Sequence, residues 1–508
     1  MGVFIARRVI ISFFTLLAAT FVVYVLVANS GDPLEELYPI PNESQREAAI
    51  AGRIELLGLD QPVLQRYLGW LAGAAGCLVG ACDLGQSITQ QPVTDLLSLA
   101  VLSTLRLVTA ATVLAVIFGV TIGIISALRQ YTGFDYTVTF VAFLFFSLPI
   151  FWVAVLLKEF GAIRLNDWLA DPGIPLTVTI ALAAFAALFW QAVFGGRPRR
   201  RLTVAAVAAA ATAAVLVYLD AVEWFARPAL GPVLVVLISL GWAVGITFLV
   251  SGIRNRRVLF ASLAAAGGGL VGAMLLAGPL RDPSWLLIFA CTLGLVAVGV
   301  VAGVLLGGLD RPQAIRAGVL TALLTGGTVF TDYVLAAFSA YYDRVNGRVI
   351  KTIGSGTPNF DGTFWEVWLD RSTSLILPTA ALILISFATY TRYTRASMLE
   401  VLNMDYVRTA RAKGLTERTV TVRHAFRNAL IPVTTLAAVD FGSVIGGAVI
   451  TETVFGWSGM GRLFVDGLRN VDPNPVMGFF VVTAVLVVVF NLVADILYAY
   501  LDPRIRLS

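Results

Sequence analysis

The stretch whose reading decides the fold is LEVLNMDYVRTARAKGLTERTVTVRHAFRNALIP, residues 399–432. It is a long polar run without a transmembrane signal, and apolar spans flank it on both sides. It therefore lies at a membrane surface. It holds Arg408, Arg411, Lys413, Arg418, Arg423 and Arg427, the longest basic run in the chain. Basic loops are retained on the cytoplasmic side, which places this one in the cytosol.

Ahead of Gly414 the pattern is helical. Leu399, Leu402, Tyr406 and Ala410 recur at steps of three and four and share one face. Asp405 and Arg408, three apart, can pair on another face. Gly414 suits the end of that helix, because glycine accepts the left-handed backbone of a C-terminal cap. Thr416 before Glu417 reads as a fresh N-cap. Val422, Phe426 and Leu430 form a second apolar stripe, and Pro432 opens the next span. The expectation is helix, glycine elbow, helix.

DYVRTARAKG (405–414) with RHAFRNALIP (423–432) resembles the EAA loop of ABC importer permeases of the peptide/nickel subfamily. The resemblance implies that the helix before Gly414 docks on an ATPase subunit and transmits its closure. It assigns the coupling role to Asp405, Tyr406, Arg408, Ala410, Arg411, Gly414, Arg423, Asn428 and Pro432. The plainer reading is a basic loop held near anionic lipid.

Composition agrees with a membrane protein. The 508 residues are 58% apolar and only 13% charged, where soluble domains carry about 25% charged residues. Apolar runs of about 20 residues recur from end to end, the mark of an all-α polytopic chain. Twelve candidate spans can be drawn, at 9–28, 103–127, 136–157, 174–194, 202–219, 230–250, 258–279, 285–307, 317–339, 374–396, 432–453 and 476–500. Arg7 and Arg8 precede the first, which is too long for a cleaved signal and reads as a retained span. With both termini in the cytosol, the inner side collects Arg7, Arg8, Arg129, the RPRRR cluster (197–201), Arg254, Arg256, Arg257, Arg504 and Arg506. That bias fits a multi-pass protein of the cytoplasmic membrane.

The loop 29–102 is then exported. Its LGLDQP (57–62) and DLGQS (83–87) are similar to the same subfamily. Cys77 and Cys82 fall between them, and the spacing leaves open a disulfide or two unpaired residues. A lobe here could receive a binding protein or simply cap the helix ends. Pro149 in FFSLPIFWVAVLL (145–157) could break a helix beside a translocation path, or only kink it.

The resemblance covers roughly 1–158 and 372–508 and is interrupted by six extra apolar spans within 159–345. The expected organisation is 1–158, an N-terminal part of a type I permease core; 159–345, an inserted helical subdomain; and 346–508, the rest of the core with the coupling loop. Six is even, so the flanks keep their orientation. GGGLVG (267–272) suits close helix packing. Trp365 and Trp368 could anchor at the interface or meet a partner.

Few residues point to chemistry. The lysines are Lys158, Lys351 and Lys413, and none stands in a Gly-Lys-Ser/Thr phosphate loop. No catalytic, cofactor-binding or metal residue is assigned, and the chain is expected not to be an enzyme. ATP and magnesium would be bound by partner ATPase subunits. His424 is the sole histidine. Asp440, about two turns past Pro432, could line a path or pair with Arg106 or another polar group. Glu452 begins TETVFGWSGMGRLFVDGL (451–468), which resembles the family's outer-gate region, and Gly456, Gly459 and Gly461 would allow tight turns there. Asp495 near the inner end of the last span fits a structural ion pair.

The resemblance thus implies a permease subunit of an ATP-driven peptide importer. Its partners would be a second homologous permease, two ATP-binding subunits and an extracytoplasmic solute-binding protein, all beside membrane lipid and without nucleic acid. An ion-coupled secondary transporter is the alternative, but it calls for paired intramembrane charges and repeats. A membrane-embedded enzyme would need acidic or histidine clusters at a membrane face.

Overall fold

The computed structural model describes residues 2–501, and their side chains except at 2–9, 12, 418, 438, 443–445, 447 and 494–501. Arg504 and Arg506, and the side chains of Arg7, Arg8, Arg418 and Asp495, lie outside the described residues. The described chain is helical. Among the described residues nine helices are long and apolar enough to cross a membrane, and a bent pair makes a tenth candidate. The helices Gly2–Ala28 and Arg427–Phe455 answer to two further expected spans but contain undescribed side chains.

Several expected spans change on folding. The span at 103–127 begins earlier, as Val93–Leu128, with Pro92 immediately before its first turn. Proline suits that boundary, where the first N–H groups lack helical partners anyway. The span at 374–396 belongs to one helix, Phe364–Leu402, which carries Pro378 inside it. The span at 136–157 is not one helix. Gly133–Ser147 ends at Leu148, and Ile150–Ala170 leaves at 101°. Pro149, with no N–H to give, forces the break, and its φ of −61° starts the next helix. Nor does Pro432 open a helix. It lies inside Arg427–Phe455, one turn after the start.

The chain divides into two compact units. One comprises Met1–Gly161, Thr352–Ser355 and Leu375–Ser508, and the other Ala162–Lys351 with Gly356–Ser374. The second unit therefore starts at Ala162, just inside the expected limit of 159, and takes in residues beyond 345.

In the first unit, Tyr24, Tyr67, Trp70, Leu84, Val93, Leu97 and Met477 form one buried cluster. Thr20 and Tyr67 share a hydrogen bond of 3.0 Å beside it. This cluster ties the loop helix Val63–Gly76 to the first and last long helices. Cys77 and Cys82, left open by spacing, are joined as a disulfide, with Cα atoms 3.8 Å apart.

The second unit holds all six extra helices: Leu176–Phe194, Pro198–Ala221, Gly231–Val250, Arg256–Leu275, Trp285–Leu306 and Arg311–Ala336. The last four pack around Val258, Ala261, Ala265, Ala302, Ala314, Ala317 and Ala322. Small residues allow such close contact where hydrophobic burial gives helices no drive to associate. A Cβ on Gly299 would lie 2.5 Å from the backbone of Val319. The glycine run 267–272 packs only in part: Gly268 meets Val298 and Gly269 meets Leu295 and Thr325, while Gly267 and Gly272 face open space.

Trp365 is buried, not an exposed anchor. Its indole N–H donates to the Leu280 carbonyl at 2.8 Å. Asp370 is also buried in this unit and takes the Lys351 ammonium at 2.5 Å.

Candidate functional site: the elbow at 405–432 and its anchors

The elbow is built from short pieces. The long helix ends at Leu402, and a break at Asn403–Met404 starts the helix Asp405–Ala412. That break rotates the face read from sequence. Val407 and Ala410 are the buried residues, packed with Val420 against Val401 and Leu402, whereas Tyr406 is exposed. Gly414 has φ +78°, and a Cβ there would meet nothing. Its requirement is conformational: the left-handed backbone is costly for other residues.

After the elbow, the Thr416 hydroxyl caps the N–H of Thr419. A π-helical stretch, Val420–Phe426, then runs directly into Arg427–Phe455. So the second arm of the elbow and the next long helix are continuous, which sequence reading did not anticipate.

Two contacts close the elbow. Arg411 donates to both oxygens of Glu417, at 2.9 and 3.4 Å. The Asn428 amide donates to the Tyr406 hydroxyl at 2.8 Å. Arg408 lies 3.8 Å from Asp405, both largely exposed, so this pair adds little stability. Arg408, Lys413 and Arg423 face outward. Of the residues assigned to coupling, Asp405, Tyr406, Arg408, Arg411, Arg423 and Asn428 are exposed, whereas Ala410 is buried and Pro432 lies inside the long helix.

Behind the elbow lies an anchor missed from sequence. Asp135, in the first turn of Gly133–Ser147, takes Arg395 through Nε at 2.8 Å and NH2 at 2.9 Å. It also accepts from the Ser126 hydroxyl at 2.5 Å and the Tyr131 N–H at 3.1 Å. One carboxylate therefore joins three helices a few turns from the elbow. The signal was available: Thr132 and Asp135 form a helix start, and Arg395 lies about two turns before the C-terminal end of its own helix.

At the opposite end of Arg427–Phe455, Glu452 is fully buried. It accepts from the Thr104 hydroxyl at 2.6 Å and from the N–H groups of Gly461 at 2.6 Å and Arg462 at 3.3 Å. Those N–H groups open the helix Met460–Arg469, where unsatisfied donors favour a carboxylate. Gly459 approaches the same carboxylate so closely that a Cβ would overlap it. Gly456 caps the long helix at φ +58°, and Trp457 folds back beside Leu107, Ala111 and Leu382.

Asp440 accepts from the Tyr390 hydroxyl at 2.8 Å. Arg106 is exposed and pairs with no carboxylate among the described residues, so the expected alternative of an Arg106 pair is not formed. Tyr390 was not singled out from sequence.

Beyond these helices, Asp472 is buried and accepts from the Ile88 N–H at 2.8 Å. Its other oxygen has no partner. Burial pushes its carboxyl up to about 6.

These observations define an integral membrane protein with a braced, charged elbow at one membrane face. A model of the family described as the binding-protein-dependent transport system inner membrane component matches residues 288–507. The match begins inside the extra helices, a stretch where no family-like text was found by reading.

Among curated proteins, the chain is 39% identical over 218 residues to the oligopeptide transport system permease protein OppB of Mycobacterium tuberculosis, covering 41% of this chain and 67% of that protein. It is 35% identical over 242 residues to the dipeptide transport system permease protein DppB of Escherichia coli K12, covering 43% and 68%. With the oligopeptide transport system permease protein AppB of Bacillus subtilis it shares 53% identity over 137 residues, 27% of this chain and less than half of that protein, 43%. The chain belongs to the binding-protein-dependent transport system inner membrane component family.

Proposed function

We propose that this chain is the permease subunit of an ATP-driven importer of di- and oligopeptides, working by alternating access in the cytoplasmic membrane with both termini in the cytosol. The observation that carries the reading is the elbow. The Asp405–Ala412 helix presents charge outward, and its second arm is continuous with Arg427–Phe455. A push on the short helix therefore has a rigid route into a long one. The choice of peptides rests on the relatives, named for oligopeptide and dipeptide transport.

In this reading a second permease pairs with the chain, and two ATP-binding subunits with ATP and magnesium seat the short helix. A solute-binding protein delivers peptide on the outer side. Nucleotide shifts the permease pair only by its different affinity for the two states. Pro149, Asp440, Glu452, Gly456 and Gly459 are assigned to the path and gate. Asp440, held by Tyr390, is the carboxylate that would attract a peptide amino group.

The test is reconstitution in vesicles. The complete complex should accumulate labelled dipeptide only with ATP and the binding protein. This chain alone, under a proton or sodium gradient, should accumulate none. Gradient-driven accumulation by the chain alone would favour a secondary transporter and overturn the proposal.

A further inference from the structure

We propose that the second unit holds a site for one acyl chain of a membrane phospholipid. Between Arg256–Leu275, Trp285–Leu306 and Arg311–Ala336 lies a cavity of about 550 Å³, lined by Gly272, Cys291, Gly294, Gly326, Phe330 and Tyr333 among others. That volume falls within the range of ligand pockets, about 300–1,000 Å³. All three helices are long and apolar enough to cross a membrane, so the medium at their surface is hydrocarbon.

The depth fits one leaflet. On Trp285–Leu306 the lining runs from Leu287 to Val298, which at 1.5 Å per residue is about 16 Å. Half of a bilayer's hydrocarbon core is roughly 15 Å. The Leu287 end carries an aromatic group: Trp285, 62% exposed, meets Phe364 edge-on at 4.9 Å, and Tyr333 stacks on Trp365. Trp and Tyr gather at headgroup level, so this end is the mouth and the other end is the bilayer interior. An apolar cavity does not hold water, and an empty one forfeits dispersion contacts along its walls. An acyl chain restores them.

The rim supplies a polar contact. Arg281 follows the lining residue Leu280 and is exposed, and its side chain has no hydrogen bond or ion pair among the described residues. The adjacent carboxylate, Asp282, accepts from the Phe364 N–H at 2.7 Å and keeps its charge. The mouth thus carries one charge of each sign, and the guanidinium is the group placed to donate to a lipid phosphate.

The experiment is native mass spectrometry of the full chain released from nanodiscs of phosphatidylcholine mixed with phosphatidylglycerol. One retained phospholipid, of either headgroup, is expected. Gly272→Leu and Gly294→Leu place side chains where a Cβ meets nothing, so the helices tolerate them. Each should lower retention about tenfold, equivalent to about 1.4 kcal/mol of binding. No retained lipid, or unchanged retention in both leucine variants, would overturn the proposal. Cys291, a free thiol in the wall, reports without any substitution. Its maleimide labelling should be slow in the mixed nanodiscs and about tenfold faster after delipidation. A rate indifferent to lipid, or protection by a co-purified polypeptide instead, would also overturn it.

Discussion

Arg395 holds Asp135 through two hydrogen bonds, 2.8 and 2.9 Å long, with the carboxylate buried and the guanidinium partly open. The pair joins the start of the broken span to the helix that leads into the elbow. Removing one member of a buried pair leaves the other uncompensated, at a cost of about 3 kcal/mol. Arg395→Ala should therefore lower the thermal unfolding midpoint of the detergent-solubilised chain. Asp135→Asn with Arg395→Gln should recover much of it, because neither charge remains. A single variant as stable as the parent would show that the pair carries no load.

Gly414→Pro should abolish peptide uptake by the reconstituted complex while the subunit still inserts. Proline locks φ near −65°, and this position needs +78°. Gly414→Ala should act more mildly, losing about 1 kcal/mol locally. Wild-type uptake in the proline variant would mean that the elbow transmits nothing.

Glu452 satisfies three donors in a buried setting. Glu452→Ala strands them, and each buried unsatisfied group costs about 1–3 kcal/mol. Gly459→Ala should be destabilising too, because its methyl group would enter the carboxylate. Proteolysis near 456–469 reports both changes. Unchanged protection in either variant would show that this turn does not depend on the carboxylate.

Asp472 sets a pH dependence. Its carboxyl is raised by burial from 3.8 to about 6, so the folded state favours the protonated form. Its contribution to stability is then fullest below about pH 4 and is lost as pH rises toward 6, by about 3 kcal/mol over two pH units. Asp472→Asn should flatten this slope. Amide exchange at Ile88, whose N–H donates to Asp472, measured from pH 4 to 7 in both proteins, checks it. Equal slopes would refute the assignment.

Asp440→Asn should reduce uptake of cationic peptides more than of neutral ones, by about tenfold if one full charge contact is lost. Comparable losses for both classes would leave Asp440 as a partner of Tyr390 alone.

What residue order alone determined is whatever depends on local composition. The positions of the spans follow from apolar runs, and the elbow follows from a glycine, a capping threonine and a basic stretch. Six extra helices were countable because each is long enough by itself to satisfy its own backbone in lipid. Tertiary structure decided what depends on distant partners. Asp135 meets Arg395 across 260 residues, and Glu452 meets Thr104 across 348. Tyr406 turned outward because a two-residue break rotated its helix, and Pro149 became a break of 101°. Periodicity predicts which residues share a face only while the helix stays unbroken. Which carboxylate finds which donor is set by how the helices pack, and hydrophobic pattern is silent on that.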